Sequence, residues 1–418
     1  MLKLIRENAA QVRQNIINKN EKTNIDEILT LDEKRRFIIG EVDKLKNLRN
    51  TVSAEIAKLK KEKIDAEEKI AAMKDVSDKI KSLDDELRSI EEILDELVLF
   101  VPNIAHESVP VGRTAEDNVV VRSWGEQKKQ KVKKDHVEIA KEFGLIDFER
   151  GAKVSGSGFY FYTGKGAALE RAIINFMLDF HVNKHGYTEV YSPFIVNANS
   201  MHGTGQIPKL AEDMYLVEKE ELYLIPTAEV PLTNYYANEI LGVEQLPTKF
   251  CGFSPCFRRE AGSYGKETRG LQRVHQFNKV ELVKFVEPEK SYGELESLVN
   301  DVEEVLQQLN IPYRVLLLCT GDTSFSSAKT YDIEVWSPAD EKWLEVSSCS
   351  NFESFQARRA GIKYKPSPNS KPEFVHTLNG SGVATPRLMI SLLENNIDEN
   401  GNIIIPDVLK SFLNFSII

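Results

Sequence analysis

The sequence predicts an α+β protein, in which an antiparallel sheet with flanking helices follows an N-terminal antiparallel helical coiled-coil arm. Two observations support this prediction. Between residues 28 and 99 the apolar side chains recur at alternating gaps of three and four, as in a coiled coil. After residue 112 the pattern changes to short strands and amphipathic helices, and strands joined mostly by hairpins and loops favour an antiparallel sheet.

The composition narrows the class of protein. A chain of 418 residues is long enough for roughly two or three domains, and 41% hydrophobic with 28% charged residues is typical of a soluble globular protein. The net charge of −10 excludes a global attraction to nucleic acid, so only local basic patches would bind it. The four cysteines form no C-x-x-C pair, which argues against a zinc knuckle or a disulfide framework. No stretch reaches the roughly 18 apolar residues of a membrane span, so we expect a cytoplasmic protein without a membrane partner.

Two heptad runs of apolar residues, one on each side of a charged turn, define the predicted arm at about residues 28–99. The runs consist of Leu31, Ile38, Leu45, Val52 and Leu59, and of Met73, Val76, Ile80, Leu83, Leu87, Ile90, Leu94 and Leu97. The charged segment 60–69 is the predicted turn, because two helices of similar length joined by a short turn fold back antiparallel. Prolines and a glycine in the segment 100–112 end the arm, so we predict a helical N-terminal domain at 1–105 and a second domain at 106–418.

The two halves of the arm differ in charge. Residues 34–63 carry ten basic and four acidic side chains, whereas residues 64–99 carry five basic and twelve acidic ones. Two interpretations stay open: the halves neutralise each other across the hairpin, or some basic residues also face a phosphate backbone. The candidates for such a basic stripe are Arg35, Arg36, Lys44, Lys46 and Arg49.

The second domain shows a mixture of helix and strand patterns. Residues 169–193 predict a helix, a glycine turn and a strand that reaches Pro193. Residues 331–336 and 342–348 predict two neighbouring antiparallel strands. The glycine-rich stretch 156–166 lacks the strand-turn-helix setting of a dinucleotide fingerprint and is interpreted as a loop.

The stretch "FRREAGSYGKETRGLQRVHQFNKVEL", residues 257–282, crowds arginines into one predicted hairpin. The guanidinium groups of these arginines repel one another, which is tolerable only when an anion lies among them. Arginine binds phosphate oxygens in bidentate fashion. Arg258 and Glu260 should point to one face of the first strand, with Phe277 and Glu281 on the same side of the second. A guanidinium, a carboxylate acceptor and an aromatic plane together favour a nucleotide site. No G-x-x-x-x-G-K-[ST] motif occurs, so arginines would hold the phosphates.

Several motifs resemble those of the class II aminoacyl-tRNA synthetase family. "FRRE" and "RGLQRVHQF" resemble its motif 2, "GSGVATPRLMISLLEN" (380–395) resembles its motif 3, and residues 169–193 resemble its motif 1. "PTAEVPL" (226–232), "EVSSCSNFESFQARR" (345–359) and the coiled-coil arm resemble the seryl branch of this family in particular. The resemblance runs the full length of the chain, with arm and larger domain in the same order.

This resemblance implies an ATP-dependent ligase that activates L-serine as seryl-adenylate and transfers serine to the 3′ end of tRNA(Ser). It leaves open whether tRNA(Sec) is also charged. It implies ATP as a substrate, Mg²⁺ as the metal, tRNA contacts from the arm, and a homodimer built on motif 1. The heptad seam of the arm is a competing route to dimers.

The resemblance also assigns roles to residues. Arg258 would hold the α-phosphate and the substrate carboxylate, Glu260 would accept from the adenine amine, and Phe277 would stack on the base. Arg387 would hold the γ-phosphate, and the implied catalytic residues are Arg258, Arg387 and Glu281. The implied ATP-binding residues are Arg258, Arg259, Glu260, Val274, Phe277, Glu345, Val346, Ser347, Ser348 and Arg387, of which Glu345 and Ser348 would also hold the metal. The implied serine pocket consists of Thr227, Ala228, Glu229, Arg258, Glu281 and Ser381. The loop 263–270 would close over ATP.

Elementary chemistry agrees with these roles. The carboxylate of the amino acid is the nucleophile and is ionised at pH 7, so positioning and charge set the barrier rather than a general base. Serine is small, so a selective pocket must hydrogen-bond its hydroxyl, and Thr227 and Glu281 are the candidates. In the alternative interpretation, Glu281 pairs with a motif 2 arginine and never meets the substrate. Two other functions stay open: an enzyme that loads a carrier protein, which would be expected to lack the arm, and a non-catalytic nucleic-acid-binding or coiled-coil scaffold.

Overall fold

The computed structural model describes residues 1–129, 134–261 and 269–418. The chain separates into two units, Met1–Pro102 and Asn103–Ile418. Nowhere in the described ranges is a helix both long enough and apolar enough to cross a membrane. The tRNA-binding role of the first unit and the catalytic role of the second stay predictions at this point.

The first unit consists of helices. These are α1 (Leu2–Glu7), α2 (Ala9–Asn18), α3 (Ile25–Lys61) and α4 (Glu67–Val98). Two ion pairs show that α3 and α4 are antiparallel. Lys34 in the first half of α3 pairs with Glu86 in the second half of α4 at 2.7 Å, and Glu55 near the end of α3 pairs with Lys69 near the start of α4 at 2.5 Å. Every residue of the predicted heptad seam is buried or half-buried. The antiparallel coiled-coil arm is therefore confirmed, with its turn at 62–66.

The second unit combines short and long strands with helices. Its strands are β1 (Val119–Trp124), β2 (Ile146–Asp147), β3 (Phe161–Tyr162), β4 (Thr188–Glu189), β5 (Ile195–Asn197), β6 (Leu216–Val217), β7 (Leu222–Leu224), β8 (Ile240–Gly242), β9 (Thr248–Phe257), β10 (Gln276–Val286), β11 (Tyr313–Leu317), β12 (Lys329–Ser337), β13 (Lys342–Asn351), β14 (Lys363–Lys365), β15 (Glu373–Phe374) and β16 (His376–Ala384). Its helices are α5 (His136–Glu142), α6 (Phe148–Ser155), α7 (Gly164–His185), α8 (Ala198–Thr204), α9 (Glu229–Thr233), α10 (Ser291–Gln308), α11 (Phe355–Ala360) and α12 (Thr385–Asn395).

One large sheet dominates this unit. Its eight strands lie in the order β1-β11-β12-β13-β16-β10-β9-β4. All neighbouring pairs are antiparallel except β4 and β9, which pair in parallel at one edge. The predicted antiparallel sheet is confirmed, as is the predicted pairing of the strands around residues 331–336 and 342–348.

Two local predictions need correction. The strand expected to reach Pro193 stops at Glu189, because only residues 188 and 189 pair with β9. The stretch 156–166, interpreted as a loop, contains β3 and the first turn of α7. Both corrections concern very short strands, which carry too few residues to show an alternating pattern.

Helices cover the sheet and create its hydrophobic cores. The larger core lies between the sheet and the helices α7, α10 and α12, whose apolar side chains are almost fully buried. Gly186 ends α7 in a left-handed conformation with φ of 71°, which a glycine adopts at no steric cost. A smaller core joins the C-terminal part of β10 to α11 and to the three-stranded sheet β15-β14-β8.

The alternation of side chains along β10 decides where a site can lie. Val280 and Leu282 are fully buried in the larger core, and Val283 and Phe285 belong to the smaller core. Successive side chains of a strand point to opposite faces. The side chains at positions 277, 279 and 281 therefore point to the face opposite the larger core. They precede Val283 on this strand, where the smaller core begins.

Candidate active site

A cleft opens on this face, where β9, β10, β13 and β16 lie side by side. About 570 Å³ of space, part of it open to solvent, lies between its lining residues. The lining residues are Arg258, Glu260, Leu271, Gln272, Arg273, Val274, Phe277, Lys279, Glu345, Val346, Ser381, Ala384, Pro386 and Arg387. Residues predicted from motif 2, from β13 and from the start of α12 thus border one cavity.

Arg258 and Glu260 follow the end of β9, which stops at Phe257. The prediction that both point from one face of a strand is wrong, because the pairing with β10 ends at Phe257 and Gln276. Glu260 instead adopts a left-handed backbone with φ of 52°, which is uncommon for a residue with a side chain. Both residues nevertheless line the cleft, and the Glu260 carboxylate forms an ion pair with Arg273.

The two arginines predicted to hold phosphates both border the cleft. The guanidinium carbon of Arg258 lies 5.2 Å from the centre of the Phe277 ring, and its Nε donates to the main-chain oxygen of Pro226 at 3.3 Å. Among the residues that the structure describes, no carboxylate forms an ion pair with Arg258. Arg387 donates from Nη1 to the main-chain oxygen of Glu345 at 2.9 Å and lies 3.4 Å from its carboxylate. The cleft therefore offers cationic charge that its own carboxylates do not fully neutralise.

The residues predicted to bind serine lie behind the cleft wall, except for Arg258 and Ser381, which line it. Thr227 Oγ1 donates to the Glu281 carboxylate at 2.7 Å and accepts from the Lys279 ammonium at 2.8 Å. Lys279 also forms an ion pair with Glu281, so the partner of this carboxylate is a lysine and not a motif 2 arginine. Since Lys279 borders the cleft, it connects the buried pair Thr227 and Glu281 to the open space.

Two further residues of the predicted serine pocket are buried beside this network. Ala228 is fully buried, and Glu229 keeps 8% of its surface exposed. The Glu229 carboxylate accepts from Gln356 Nε2 at 2.6 Å, and its main-chain N–H donates to Thr227 Oγ1 at 3.1 Å. Burial, reinforced by the charge of Glu281, raises the pKa of Glu229 to about 7. Glu229 is therefore a carboxyl group that titrates near neutral pH.

A β-bulge brings the two predicted metal ligands together. Glu345 and Ser348 are three residues apart on β13, so a regular strand would point them to opposite faces. Val346 has no partner in the pairing of β13 with β12, and this extra residue restores a common side. Glu345 and Ser348 consequently border one further cavity, which also contains Asp332, while Glu345 borders the cleft as well.

The donors at this further cavity suit a hard divalent cation. A carboxylate and a hydroxyl are oxygen ligands of the kind that Mg²⁺ prefers. Asp332 Oδ1 is buried without a hydrogen-bond partner, and burial together with the charge of Glu345 raises the pKa of Asp332 well above its usual range. In residues 1–129, 134–261 and 269–418, no three His, Cys, Asp or Glu side chains are arranged to hold a metal. The donor set therefore fits an ion that keeps water or phosphate oxygens as its other ligands, as Mg²⁺ does.

Some predicted ATP-binding residues do not line the cleft. Arg259 is absent from the cleft lining, and its main-chain N–H donates to the main-chain oxygen of Asp213 at 2.9 Å. Ser347 is buried, and its Oγ donates to the main-chain oxygen of Ser381 at 2.5 Å. Ser348 borders the further cavity and not the cleft. Most of the predicted loop 263–270 lies outside the described residues.

Sequence reasoning gave no role to six residues that line the cleft, among them Lys279, Arg273 and Gln272. Lys279 lies between Phe277 and Glu281 in the same predicted strand, and a lysine inside an apolar strand is itself a signal of a buried partner. Arg273 pairs with Glu260, and the main-chain oxygen of Gln272 accepts from Arg387 Nε at 3.2 Å. The last two contacts depend on how the hairpin folds over, which no spacing in the sequence shows.

Four of the five basic arm residues predicted to contact tRNA take part in ion pairs within the arm. Arg35 and Lys46 pair across the hairpin, with Glu91 and Asp84, and Arg36 and Lys44 pair within α3, with Asp32 and Glu41. Arg49 has no ion-pair partner among the described residues. Neutralisation across the hairpin is thus observed for Arg35 and Lys46, and contact of the arm with tRNA stays a prediction.

Comparison with known proteins supports the motif-based resemblance. The family model described as "Seryl-tRNA synthetase N-terminal domain" matches residues 2–105. The family model described as "tRNA synthetase class II core domain (G, H, P, S and T)" matches residues 215–396. A serine–tRNA ligase of Chloroherpeton thalassium is 55% identical over 100% of this chain and 99% of the relative. The crystal structure of seryl-tRNA synthetase from Pyrococcus horikoshii complexed with ATP superposes with a TM-score of 0.96 at 39% identity, over 100% of this chain and 99% of that one. The cytoplasmic serine–tRNA ligase of Naegleria fowleri in complex with AMP superposes with a TM-score of 0.89 at 30% identity, over 100% and 98%.

These likenesses extend over the arm, the sheet and the cleft alike. They confirm the family that motifs 1, 2 and 3 predicted, and they agree with the antiparallel sheet and the helical arm. The chain therefore belongs to the seryl-tRNA synthetase family of class II aminoacyl-tRNA synthetases, which are ATP-dependent ligases.

Proposed function

We propose that this chain activates L-serine with ATP to form seryl-adenylate and then transfers serine to the 3′ end of tRNA(Ser). The observation that supports this most directly is that Arg258, Phe277, Glu345 and Arg387, which come from separate segments, border one cleft. Relatives of this family have been solved with ATP and with AMP. We infer that ATP binds in this cleft.

Each lining group has a part in holding the nucleotide. The Arg258 guanidinium, which has no carboxylate partner among the described residues, is free to bind the α-phosphate and the serine carboxylate. Arg387 would turn from the Glu345 carboxylate towards the γ-phosphate. Adenine would stack on the face of Phe277 that Arg258 leaves open, and the Glu260 carboxylate would accept from the exocyclic amine.

Activation needs no general base. The serine carboxylate oxygen forms a new bond to the α-phosphorus, while the bond from this phosphorus to the bridging oxygen of the β-phosphate breaks. The electron pair leaves with pyrophosphate, and Arg258 and Arg387, which border the cleft, would face the oxygens on which negative charge builds up. Fixed cationic groups of this kind stabilise such charge because they are already oriented before the reaction.

Serine would be selected by the buried polar network beside the cleft. Thr227 Oγ1 is already saturated, since it accepts from Lys279 and from the Glu229 N–H and donates to Glu281. The Glu281 carboxylate is therefore the stronger candidate for the serine hydroxyl, and Glu229 for the ammonium. A pocket with such buried acceptors rejects alanine, which would leave them unpaired.

Glu345 and Ser348 would hold Mg²⁺ beside the phosphates. When bound, the ion supplies positive charge that neutralises the phosphate oxygens and the departing pyrophosphate. The protein contributes two oxygen donors on one side of β13, brought together by the bulge at Val346. Water and phosphate oxygens would complete the coordination.

The second step and the assembly also belong to this proposal. A ribose hydroxyl at the 3′ end of tRNA attacks the carbonyl carbon of seryl-adenylate, and AMP leaves. The arm, α3 and α4, would contact the tRNA backbone, and Arg49 is the one of the five predicted basic residues that makes no ion pair among the described residues. A homodimer would form through α7 and the segment after it, and a charging assay with both substrates decides whether tRNA(Sec) is accepted beside tRNA(Ser).

Amino-acid-dependent pyrophosphate exchange tests this function. Serine should support exchange into ATP, whereas threonine and alanine should support at least about 10²-fold less. Arg258→Ala should lower exchange by about 10²- to 10³-fold, as expected for losing one oriented charge, while Arg150→Ala, which removes an exposed arginine elsewhere, should not. Exchange with another amino acid but not with serine would reject the proposal.

Deletion of residues 28–99 separates the two steps. The deletion variant should keep serine-dependent exchange, because the cleft lies wholly in residues 103–418, and it should lose charging of tRNA(Ser). Unchanged charging would show that the arm has another purpose. Serine exchange combined with transfer to a carrier protein but not to tRNA would favour the alternative enzyme.

A further inference from the structure

Asp213 accepts a main-chain hydrogen bond from the residue on each side of Glu260. It lies in the short helical turn Ala211–Asp213, which precedes β6. Its main-chain oxygen accepts from the Arg259 N–H at 2.9 Å, and its carboxylate Oδ1 accepts from the Ala261 N–H at 2.7 Å. The residue between these two contacts is Glu260.

Glu260 needs such a restraint because its backbone conformation is unfavourable. Its φ of 52° lies in the left-handed region, where the Cβ of an ordinary residue is crowded. The ladder of β9 and β10 cannot hold it, since β9 ends at Phe257. Strained conformations of this kind persist only where surrounding contacts fix them, and they concentrate at functional sites. Glycine or asparagine would adopt this conformation more easily.

The restraint acts on the direction of the Glu260 side chain. In the observed conformation the carboxylate borders the cleft and pairs with Arg273. If the segment 259–261 relaxed to a negative φ at residue 260, the Cα–Cβ bond would turn and the carboxylate would move away from this position. Arg273 restrains only the tip of the side chain, whereas Asp213 restrains the backbone from which it starts.

We propose that Asp213 is a positioning residue that fixes Glu260 in the cleft and thereby sets the selectivity of the site for adenine. The proposal rests on the proposed function, in which Glu260 accepts from the exocyclic amine. A purine with a carbonyl oxygen at that position would place two acceptors face to face, so a firmly held Glu260 rejects it. A loosened Glu260 would reject it less well.

The test compares ATP with inosine 5′-triphosphate in serine-dependent pyrophosphate exchange by the full chain. Asp213→Ala should raise KM for ATP by about 10-fold and reduce the ATP-to-ITP ratio of kcat/KM by about 10-fold, as expected for losing a charge-assisted hydrogen bond. KM for serine should change by less than about 2-fold, because in the described part of the chain Thr227, Lys279 and Glu281 form no hydrogen bond or ion pair with Asp213. Asp213→Asn keeps an oxygen that accepts from Ala261 and should recover most of the selectivity.

Two controls separate positioning from general damage. Glu212→Ala removes the neighbouring exposed carboxylate in the same turn. It should leave KM for ATP and the ATP-to-ITP ratio of kcat/KM unchanged. In a Glu260→Ala background, Asp213→Ala should cause no further loss of the ATP-to-ITP ratio, because a residue that acts through Glu260 has nothing left to position. If Asp213→Ala does not fold, Asp213→Glu, which shifts the acceptor by one methylene group, should reduce the ratio by an intermediate amount.

Equal losses with ATP and ITP, an equal rise in KM for serine, or an additive loss in the Glu260→Ala background would each overturn the proposal. These outcomes are distinct from failure of the proposed function. If the unaltered chain shows no exchange with serine, the function itself is wrong. If it exchanges normally and Asp213→Ala behaves like it, only the role of Asp213 is wrong.

Discussion

The arm and the cleft use the same charged side chains in opposite environments. In the arm, Lys34 and Glu86 pair while they keep 55% and 43% of their side-chain surface exposed. At the wall of the cleft, Lys279 and Glu281 pair with only 7% and 2% of their side-chain surface exposed. An exposed pair contributes about 0–1 kcal/mol, whereas a buried charge that loses its partner costs several times more. The comparison teaches that the Lys34–Glu86 pair stays in contact with water, whereas Lys279 and Glu281 neutralise each other inside the protein.

The largest expected effect comes from breaking the buried pair. Lys279→Met should lower the free energy of unfolding of the second unit by about 3–5 kcal/mol, because Glu281 then stays buried without a cation. Urea unfolding followed by tryptophan fluorescence measures this selectively, since Trp124, Trp336 and Trp343 all lie in Asn103–Ile418.

Two matched variants sharpen this prediction. Lys34→Met, which breaks the exposed arm pair, should lower the free energy of unfolding of the arm by less than about 1 kcal/mol, measured by far-UV circular dichroism. Adding Glu281→Leu to Lys279→Met should recover most of the lost stability, because no charge remains buried. Equal losses for Lys279→Met and Lys34→Met would remove the distinction between the two regions.

A second prediction asks what stabilises the arm if its ion pairs contribute little. Ile90 is 5% exposed in the seam, whereas Ile93 on the same helix is 44% exposed. Ile90→Ala should destabilise the arm by about 2–5 kcal/mol, because it leaves a cavity in a seam that is one layer thick. Ile93→Ala should cost less than about 0.5 kcal/mol, since it lies on the surface. Arm unfolding by circular dichroism measures both, and similar losses for the two variants would contradict a seam-based account.

The smallest expected effect is a dependence on pH that only the cleft should show. Glu229 has a pKa raised to about 7 by burial, whereas a hydrogen bond from Lys44 lowers the pKa of Glu41 in the arm. In the folded chain Glu229 keeps a proton that the unfolded chain releases above its ordinary pKa, 4.5. Its contribution to stability is therefore full below that value and is lost as pH rises to about 7.

Removing this titration should expose the effect. The stability of Glu229→Gln relative to the unaltered chain should increase between pH 5 and pH 7 by at most about 1.4 kcal/mol per pH unit, and should level off above pH 7. Urea unfolding followed by tryptophan fluorescence at each pH provides the measurement. Glu41→Gln is the matched control in the arm and should show no such increase. A constant difference from pH 5 to pH 8 would mean that Glu229 is ionised throughout.

The same contrast explains how much of the fold the sequence could predict. The arm was predictable nearly to its ends, because each seam residue repeats one local rule and the two helices follow each other directly. The long strands β12 and β13 were predictable from alternation. The strand before Pro193 was not, because β4 has only two paired residues and its partner β9 lies about 60 residues further along the chain. Pairing at that distance leaves no local pattern.

The candidate site divides in a similar way. The resemblance to the class II motifs was sufficient to predict that Arg258, Phe277, Glu345 and Arg387 share one site, and all four border the cleft. It was insufficient for Lys279 and Arg273, whose importance lies in a partner rather than in a position. The conformation of Glu260 was also beyond reach, because its left-handed φ depends on contacts made by Asp213, which is far away in sequence. Buried pairings and backbone restraints of this kind become visible only when the chain is folded.

The unpaired Val346 has a consequence for how this region tolerates change. Because of this one additional residue, Glu345 and Ser348 point to the same side although they are three positions apart. The placement of their oxygens therefore depends on the number of residues in the strand as well as on the two side chains themselves. A deletion of one residue between positions 345 and 348 would remove the bulge and shorten the spacing to two, so a regular strand would still keep both oxygens on one side. A strand that kept the spacing of three but lost the bulge would instead send one oxygen into the protein interior, with every functional group still present.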